Sequence, residues 1–260
     1  MKVLNRINLY TLLIIILSIF SIIGFFVFGI KSTLPQLIIA IITAGLLDSL
    51  IYFYKTKRFK ISKSGIITGF FVGLVLSTGQ FWYVPLFASI VAILGKHIGR
   101  YIMQLIGQRN HLFNPAIFGI FVSMLIFRTG DGWWGAGSLI AVIILGIILL
   151  LRFKAVGLVV SFLITYFVFL FLFNIGSLGN FGINFLTSHL YFFAFFMLTE
   201  PRTSPTLFKG KIIYGILSGI VINLMILLLP LYTFTLGLLI CNLFVPFINY
   251  FTLLKSTTKI

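Results

Sequence analysis

The hydrophobic positions of this chain neither alternate nor keep to one helical face. They form long runs, separated by short stretches that hold most of the charges and turn-forming residues. A helix that crosses a bilayer needs about 20 largely apolar residues, and fewer where it is broken or re-entrant. Ten runs meet this description, near residues 8–30, 34–54, 65–78, 82–106, 114–127, 136–151, 155–173, 185–199, 212–229 and 231–254. They predict an all-α integral membrane protein with ten transmembrane helices. The first run is too long for a secretory signal and lacks a small-residue cleavage site, so it reads as a retained helix.

The charges between the runs provide a separate test, because cytoplasmic loops carry an excess of Lys and Arg. With the N-terminus inside, seventeen of the nineteen basic residues fall on the inner side: Lys2, Arg6, Lys55, Lys57, Arg58, Lys60, Lys63, Lys96, Arg100, Arg109, Arg152, Lys154, Arg202, Lys209, Lys211, Lys255 and Lys259. Only Lys31 and Arg128 fall outside. This split predicts ten spans in the cell membrane with both termini cytoplasmic. Two five-span halves, about 1–130 and 131–260, would then have opposite orientations. The third and eighth runs hold equivalent positions and are both about 14 residues long. Short spans in matching positions point to broken helices around a central site. The expectation is a single transmembrane domain, 1–260, built as two inverted five-helix repeats.

Composition agrees with lipid as the solvent. Of 260 residues 60% are apolar and 8% charged, with mean hydropathy +1.20, whereas about a quarter of a soluble domain is charged. The net charge of +16 sits in short clusters beside apolar runs, which assigns it to membrane loops rather than to nucleic acid. Cys241 is the single cysteine, so the chain offers neither an internal disulfide nor a Cys-ligated cluster. No loop exceeds about 20 residues, which leaves no soluble domain for a nicotinamide cofactor or an iron–sulfur centre. His97 and His111 in the inner loops and His189 near an outer helix end have no metal- or haem-binding spacing, and each is expected to be a polar interface residue.

Small residues recur at helical spacing: Gly65, Gly69, Gly73 and Ser77 in the third run, Gly95 and Gly99 in the fourth, Gly215 and Gly219 in the ninth. Such stripes let two helix backbones approach closely. Asp48 is the one acidic residue well inside a run, roughly 9 Å from the inner end at about 1.5 Å per residue. Two interpretations are open: a cation or proton site facing the bundle interior, or a carboxylate paired with the basic stretch Lys55 to Lys63. Asn114-Pro115 has the composition of a helix start, and Ser204-Pro205 repeats it after Glu200, Pro201 and Arg202. Two helix N-termini on the inner side, with Arg109, Arg202, Lys209 and Lys211, could hold an anionic or electron-rich group. Ordinary capping combined with the inner excess of basic residues gives the same pattern.

The segment Gln108-Arg109-Asn110-His111-Leu112-Phe113-Asn114-Pro115-Ala116-Ile117-Phe118-Gly119 resembles the FNPA-x-x-G signature of the NqrB/RnfD family. These are the large membrane subunits of sodium-pumping NADH:quinone reductase and of the Rnf electron-transport complex. Met197-Leu198-Thr199-Glu200-Pro201-Arg202-Thr203-Ser204-Pro205-Thr206 resembles the family's second signature, T-D-P-x-x-[ST]-[AS]-P. Ser64-Gly65-Ile66-Ile67-Thr68-Gly69 fits the helix before the first. The resemblance implies a urea-transporter-like architecture of inverted five-helix halves that carries flavin and relays electrons across the membrane. A flavin accepts two electrons and passes them singly, bridging hydride donors and one-electron carriers.

Many members of the family attach FMN through a phosphoester to the Thr of an S-G-A-T motif on the outer face. Here the corresponding loop reads Asp131-Gly132-Trp133-Trp134-Gly135-Ala136-Gly137-Ser138, so that Trp134 stands for the Ser and Gly137 for the Thr. Gly137 has no hydroxyl to esterify, and no covalent FMN is expected there. Trp133 and Trp134 are expected in the interfacial belt, with stacking on a flavin as the other role open to them.

The resemblance implies a membrane subunit of an Rnf- or Nqr-like redox assembly that relays electrons through non-covalent flavin, FMN or riboflavin, or through a quinone. Ion transport would be coupled to this flow. Its partners would be other redox subunits, a ferredoxin reductase-like or flavinylated protein, within membrane lipid. The cofactor-binding candidates are Asn114, Pro115, Thr199, Glu200, Arg202, Thr203 and Ser204. Arg202 would stabilise a reduced, anionic carrier and Glu200 would exchange protons with it. Two other functions remain open: a non-redox transporter or channel of urea-transporter-like architecture, and a membrane anchor for a flavin reductase. Produced together with a flavin transferase, the chain should keep the intact mass of the unmodified polypeptide; a mass higher by one FMN would place the attachment elsewhere in this loop.

Overall fold

The computed structural model describes residues 8–108, 110–173 and 186–257. Lys2, Arg6, Arg109 and Lys259, used in the charge count, lie outside the described residues. Among the described residues the regular structure is helical: α1 (Leu9–Phe28), α2 (Ile30–Thr56), α3 (Lys63–Val75), α4 (Tyr83–Leu105), α5 (Pro115–Phe127), α6 (Leu139–Phe153), α7 (Val156–Leu172), α8 (Ser188–Phe192, continued by a π-helical turn Phe193–Met197), α9 (Phe208–Leu228) and α10 (Thr233–Thr257). Each of the ten apolar runs overlaps one of these helices, with ends that differ by a few residues at α2, α3, α6, α9 and α10. Five stretches are long and apolar enough to cross a membrane: α1, α2, α4, α9 and Pro230–Leu253. Shortness is not confined to the third and eighth runs, since α5, α6 and α7 are also shorter apolar helices.

The chain divides into two compact units, Met1–His97 with Pro115–Gly137, and Ile98–Asn114 with Ser138–Ile260. In the first unit the glycine stripe of α3 lies against α2. A Cβ on Gly65 would stand 2.7 Å from the Ala44 carbonyl oxygen, one on Gly69 2.5 Å from that of Ala40, and one on Gly73 2.7 Å from Leu37 Cδ1. Contact at this range gives van der Waals packing in a medium that supplies no hydrophobic force between helices. Gly119 on α5 likewise allows the Ala88 and Ala92 backbone of α4 to approach. In the second unit Gly215 and Gly219 of α9 do the same against Leu158, Phe162 and Thr165 of α7.

Helix α3 ends in the protein interior, where the side chains of Leu74, Val75 and Leu76 are fully buried. The last carbonyls of a helix have no partner within it and cannot be left bare in a lipid-like interior. The Gly73 carbonyl accepts from Gln36 Nε2 (2.8 Å) and Trp134 Nε1 (2.6 Å), and the Leu76 carbonyl from Gln36 Nε2 (3.1 Å). The Val75 carbonyl accepts from the backbone N–H groups of Gly132 (2.8 Å) and Trp133 (3.0 Å), and Ser77 N–H donates to Gly130 (3.2 Å). The loop after α5 therefore closes the end of α3, with one bridge pairing Leu76 and Asp131.

This corrects the expected position of the two tryptophans. Trp133 is 3% and Trp134 0% exposed, so neither lies in an interfacial belt. Trp134 packs on Gly24 of α1, where a Cβ would overlap its ring. Trp133 has φ +45°, a costly conformation for a bulky residue, held here by its N–H bond to Val75.

Burial pushes the Asp131 carboxyl up to about 6, an effect only partly offset by a hydrogen bond from the Trp133 side chain. The folded protein thus holds this proton more tightly than the unfolded chain does. The Asp131 contribution to stability is complete below the unfolded carboxylate value near pH 4, and it is lost as the pH rises through about 6. Thermal melts over that range should show a decline of about 1–2 kcal/mol after screening by solvent, and Asp131→Asn should flatten it.

Candidate functional site

The two signature segments meet in the second unit. His111 N–H donates to the Arg202 carbonyl at 2.7 Å, and Asn110 Nδ2 to the Ser204 carbonyl at 3.4 Å. The junction is completed from α10. Asn242 Oδ1 accepts from Asn114 N–H (2.9 Å), while its Nδ2 reaches the Thr203 carbonyl (3.3 Å) and the Tyr214 hydroxyl (2.8 Å). Asn114 Nδ2 approaches Met197 Sδ (3.9 Å), and Gln108 Nε2 donates to the Pro246 carbonyl (3.0 Å). Asn249 Oδ1 accepts from Thr206 N–H (3.1 Å).

Local sequence explains the shape of each segment. The π-helical turn at Phe193–Met197 closes through Leu198 N–H to the Phe193 carbonyl (2.9 Å), the wide turn often found beside functional sites. After it, Thr199 Oγ1 donates back to Phe195 (2.5 Å), and Glu200 anchors a tight turn. The Glu200 carbonyl accepts from Thr203 and Ser204 N–H (3.1 and 3.0 Å), while its Oε2 accepts from Thr203 Oγ1 (3.2 Å). Helix α5 opens at Pro115 as expected. The second expected helix start is corrected: α9 begins at Phe208 after Leu207 with no side-chain cap, and Ser204-Pro205 belongs to the turn before it. The polar groups of that turn are spent on Glu200, on the 108–114 segment and on Asn242 and Asn249 of α10.

Among the residues predicted for the site, Asn114, Thr199, Thr203 and Ser204 are brought together and are at most 3% exposed. Glu200 is half-buried, and Arg202 is exposed, as is Lys209. The buried members build the junction of the two segments, and the Arg202 side chain stands exposed beside it. Arg109 lies outside the described residues. Sequence reasoning missed Asn242, Tyr214 and Asn249. An amide inside the last apolar run was the available signal, since polar side chains within spans are costly unless they have a partner.

Asp48, the candidate ion site, lies in the first unit with a different set of partners. Its Oδ2 accepts from Lys96 Nζ at 2.7 Å and from the Ser62 hydroxyl, and its Oδ1 faces His97 Nε2 at 2.7 Å. The basic stretch Lys55 to Lys63 supplies no ion pair to it; Lys63 Nζ instead reaches Thr11 Oγ1 (3.2 Å). His97 is likewise corrected from a loop to helix α4.

The family described as NQR2, RnfD, RnfE matches residues 121–257, just over half of the chain, and the chain belongs to that family. The match includes the second signature and the loop at 131–138, whereas residues 108–119 precede it. No curated protein matches the chain. Replacing Asn242 with Leu leaves the buried Asn114 N–H and Thr203 carbonyl without their partner, at a cost of about 2–3 kcal/mol. A lowered melting temperature, with proteolysis rising in both loops together, is the expected result.

Proposed function

We propose, from membership of this family, that the chain is a multi-pass membrane subunit of an Rnf- or Nqr-type assembly that relays electrons through a non-covalently held flavin or quinone. The carrier would lie against the platform formed by residues 108–114 and 197–206. The observation that carries this reading is the joining of both signature segments, about ninety residues apart in sequence, by hydrogen bonds that meet at Asn242. Both termini would be cytoplasmic, the platform would face the cytoplasm, and the two halves would repeat in inverted, urea-transporter-like fashion.

The groups present suit an anionic carrier held without an ester bond at position 137. Gly137 has no acceptor oxygen, and the neighbouring Ser138 hydroxyl caps α6 through Ala141 N–H (3.4 Å). A bound flavin would supply exchange between two-electron and one-electron carriers. Arg202 would pair with phosphate or with charge gained on reduction. Glu200 would exchange protons at the rim, and the buried Thr199, Thr203 and Asn114 would hold both loops still. Electrons would arrive from and leave to other subunits, and coupling to ion movement is part of this proposal.

The protein purified with its assembly should show flavin absorption that a reductant bleaches. Arg202→Gln should weaken flavin retention by roughly tenfold, the usual worth of a charge-assisted hydrogen bond, without changing the melting temperature of the apoprotein. Colourless protein that moves a solute into liposomes would replace this proposal with the transporter alternative.

A further inference from the structure

The carboxylate of Asp48 is approached by three donors from two segments. Lys96 and His97 come from α4 and Ser62 from the start of α3, whose hydroxyl also accepts from Gly65 N–H (3.0 Å). An ionised carboxylate only accepts, so Nε2 of His97 carries a hydrogen. Consecutive residues of a helix point about 100° apart, and Asp48 occupies the angle between Lys96 and His97. Gly65 makes this possible, since a Cβ there would stand 2.7 Å from both Asp48 Cβ and the Ala44 carbonyl oxygen. Lys96 also donates to Ser64 Oγ at 3.0 Å. The Ser64-Gly65 pair of the small-residue motif therefore serves this cluster, one residue holding Lys96 and the other admitting Asp48.

We infer that Asp48 and Ser64 form a monovalent-cation site that the chain keeps filled with its own Lys96 ammonium group. The ammonium is a compact single charge, and the two oxygens it meets, a carboxylate and a hydroxyl, are of the kind that bind alkali cations. Both charged side chains are under 10% exposed, where an unpaired carboxylate would be strongly unfavourable. Lys63, next to Ser62 in sequence, is directed elsewhere, to Thr11. A tethered cation keeps the junction of α2, α3 and α4 closed at any salt composition, and it shuts Asp48 off from ions in transit. This inference does not depend on the proposed redox role and is tested on the chain alone.

The test is the melting temperature of the purified chain in lithium, sodium, potassium or choline chloride at constant ionic strength. Wild type should be indifferent to the cation. Lys96→Ala should melt lower in choline and recover saturably with an alkali cation or methylammonium, by roughly 5 °C or more at about 100-fold above the dissociation constant. Asp48→Asn/Lys96→Met, which removes both charges, should fold and be indifferent again. If Lys96→Ala can be obtained folded only in an alkali cation or methylammonium, that also supports the site. Cation-specific stabilisation of wild type would overturn the inference. So would a Lys96→Ala variant that no cation rescues while the double variant folds.

Discussion

Everything in the first unit depends on how the end of α3 is satisfied. A helix that stops inside a lipid-embedded protein leaves carbonyl groups that water cannot reach, and each bare group costs more than most single contacts return. Here a glutamine from α2, an indole from the 128–137 loop and two backbone N–H groups supply the missing donors. The packing follows from that need. The α3 stripe of glycines draws α2 close enough for Gln36 to reach, and Gly24 makes room for the Trp134 ring. The strain at Trp133 is sustained because the same loop must deliver its N–H to Val75.

The second unit solves a similar problem with side-chain amides. Two irregular segments, each unable to satisfy its own backbone, share Asn242. A buried amide can donate and accept at once, which suits it to join strands of chain that are not regular. Among the described residues of these segments, Arg202 is the exposed charged side chain.

Much of the fold was legible in the sequence. The bilayer demands long apolar runs and internally satisfied backbone, so each of the ten runs overlaps a helix, and the glycine stripes were correctly assigned to close packing. The missing information was of two kinds. Lys96 sits within the fourth run and was counted with the loop charges, because hydropathy over a window cannot reveal that a single ammonium has a carboxylate waiting on another helix. Ser204-Pro205 has the composition of a helix start, but the turn's hydrogen bonds to Glu200 and to the distant 108–114 segment prevail over it. Trp134 looked interfacial for the same reason: its partner, the Gly73 carbonyl, is sixty-one residues away. The family signatures marked the two segments that meet, although not the amide that joins them.

The position of Asn242 bears on how the molecule is made. Its partner Asn114 precedes it by 128 residues, and helices α5 to α9 lie between the two in the chain. As the polypeptide threads into the bilayer from its N-terminus, the first signature loop therefore waits, with a buried donor unmet, until α10 has been synthesised and inserted. A chain truncated before α10 would leave that polar junction open, the sort of defect that quality-control proteases recognise.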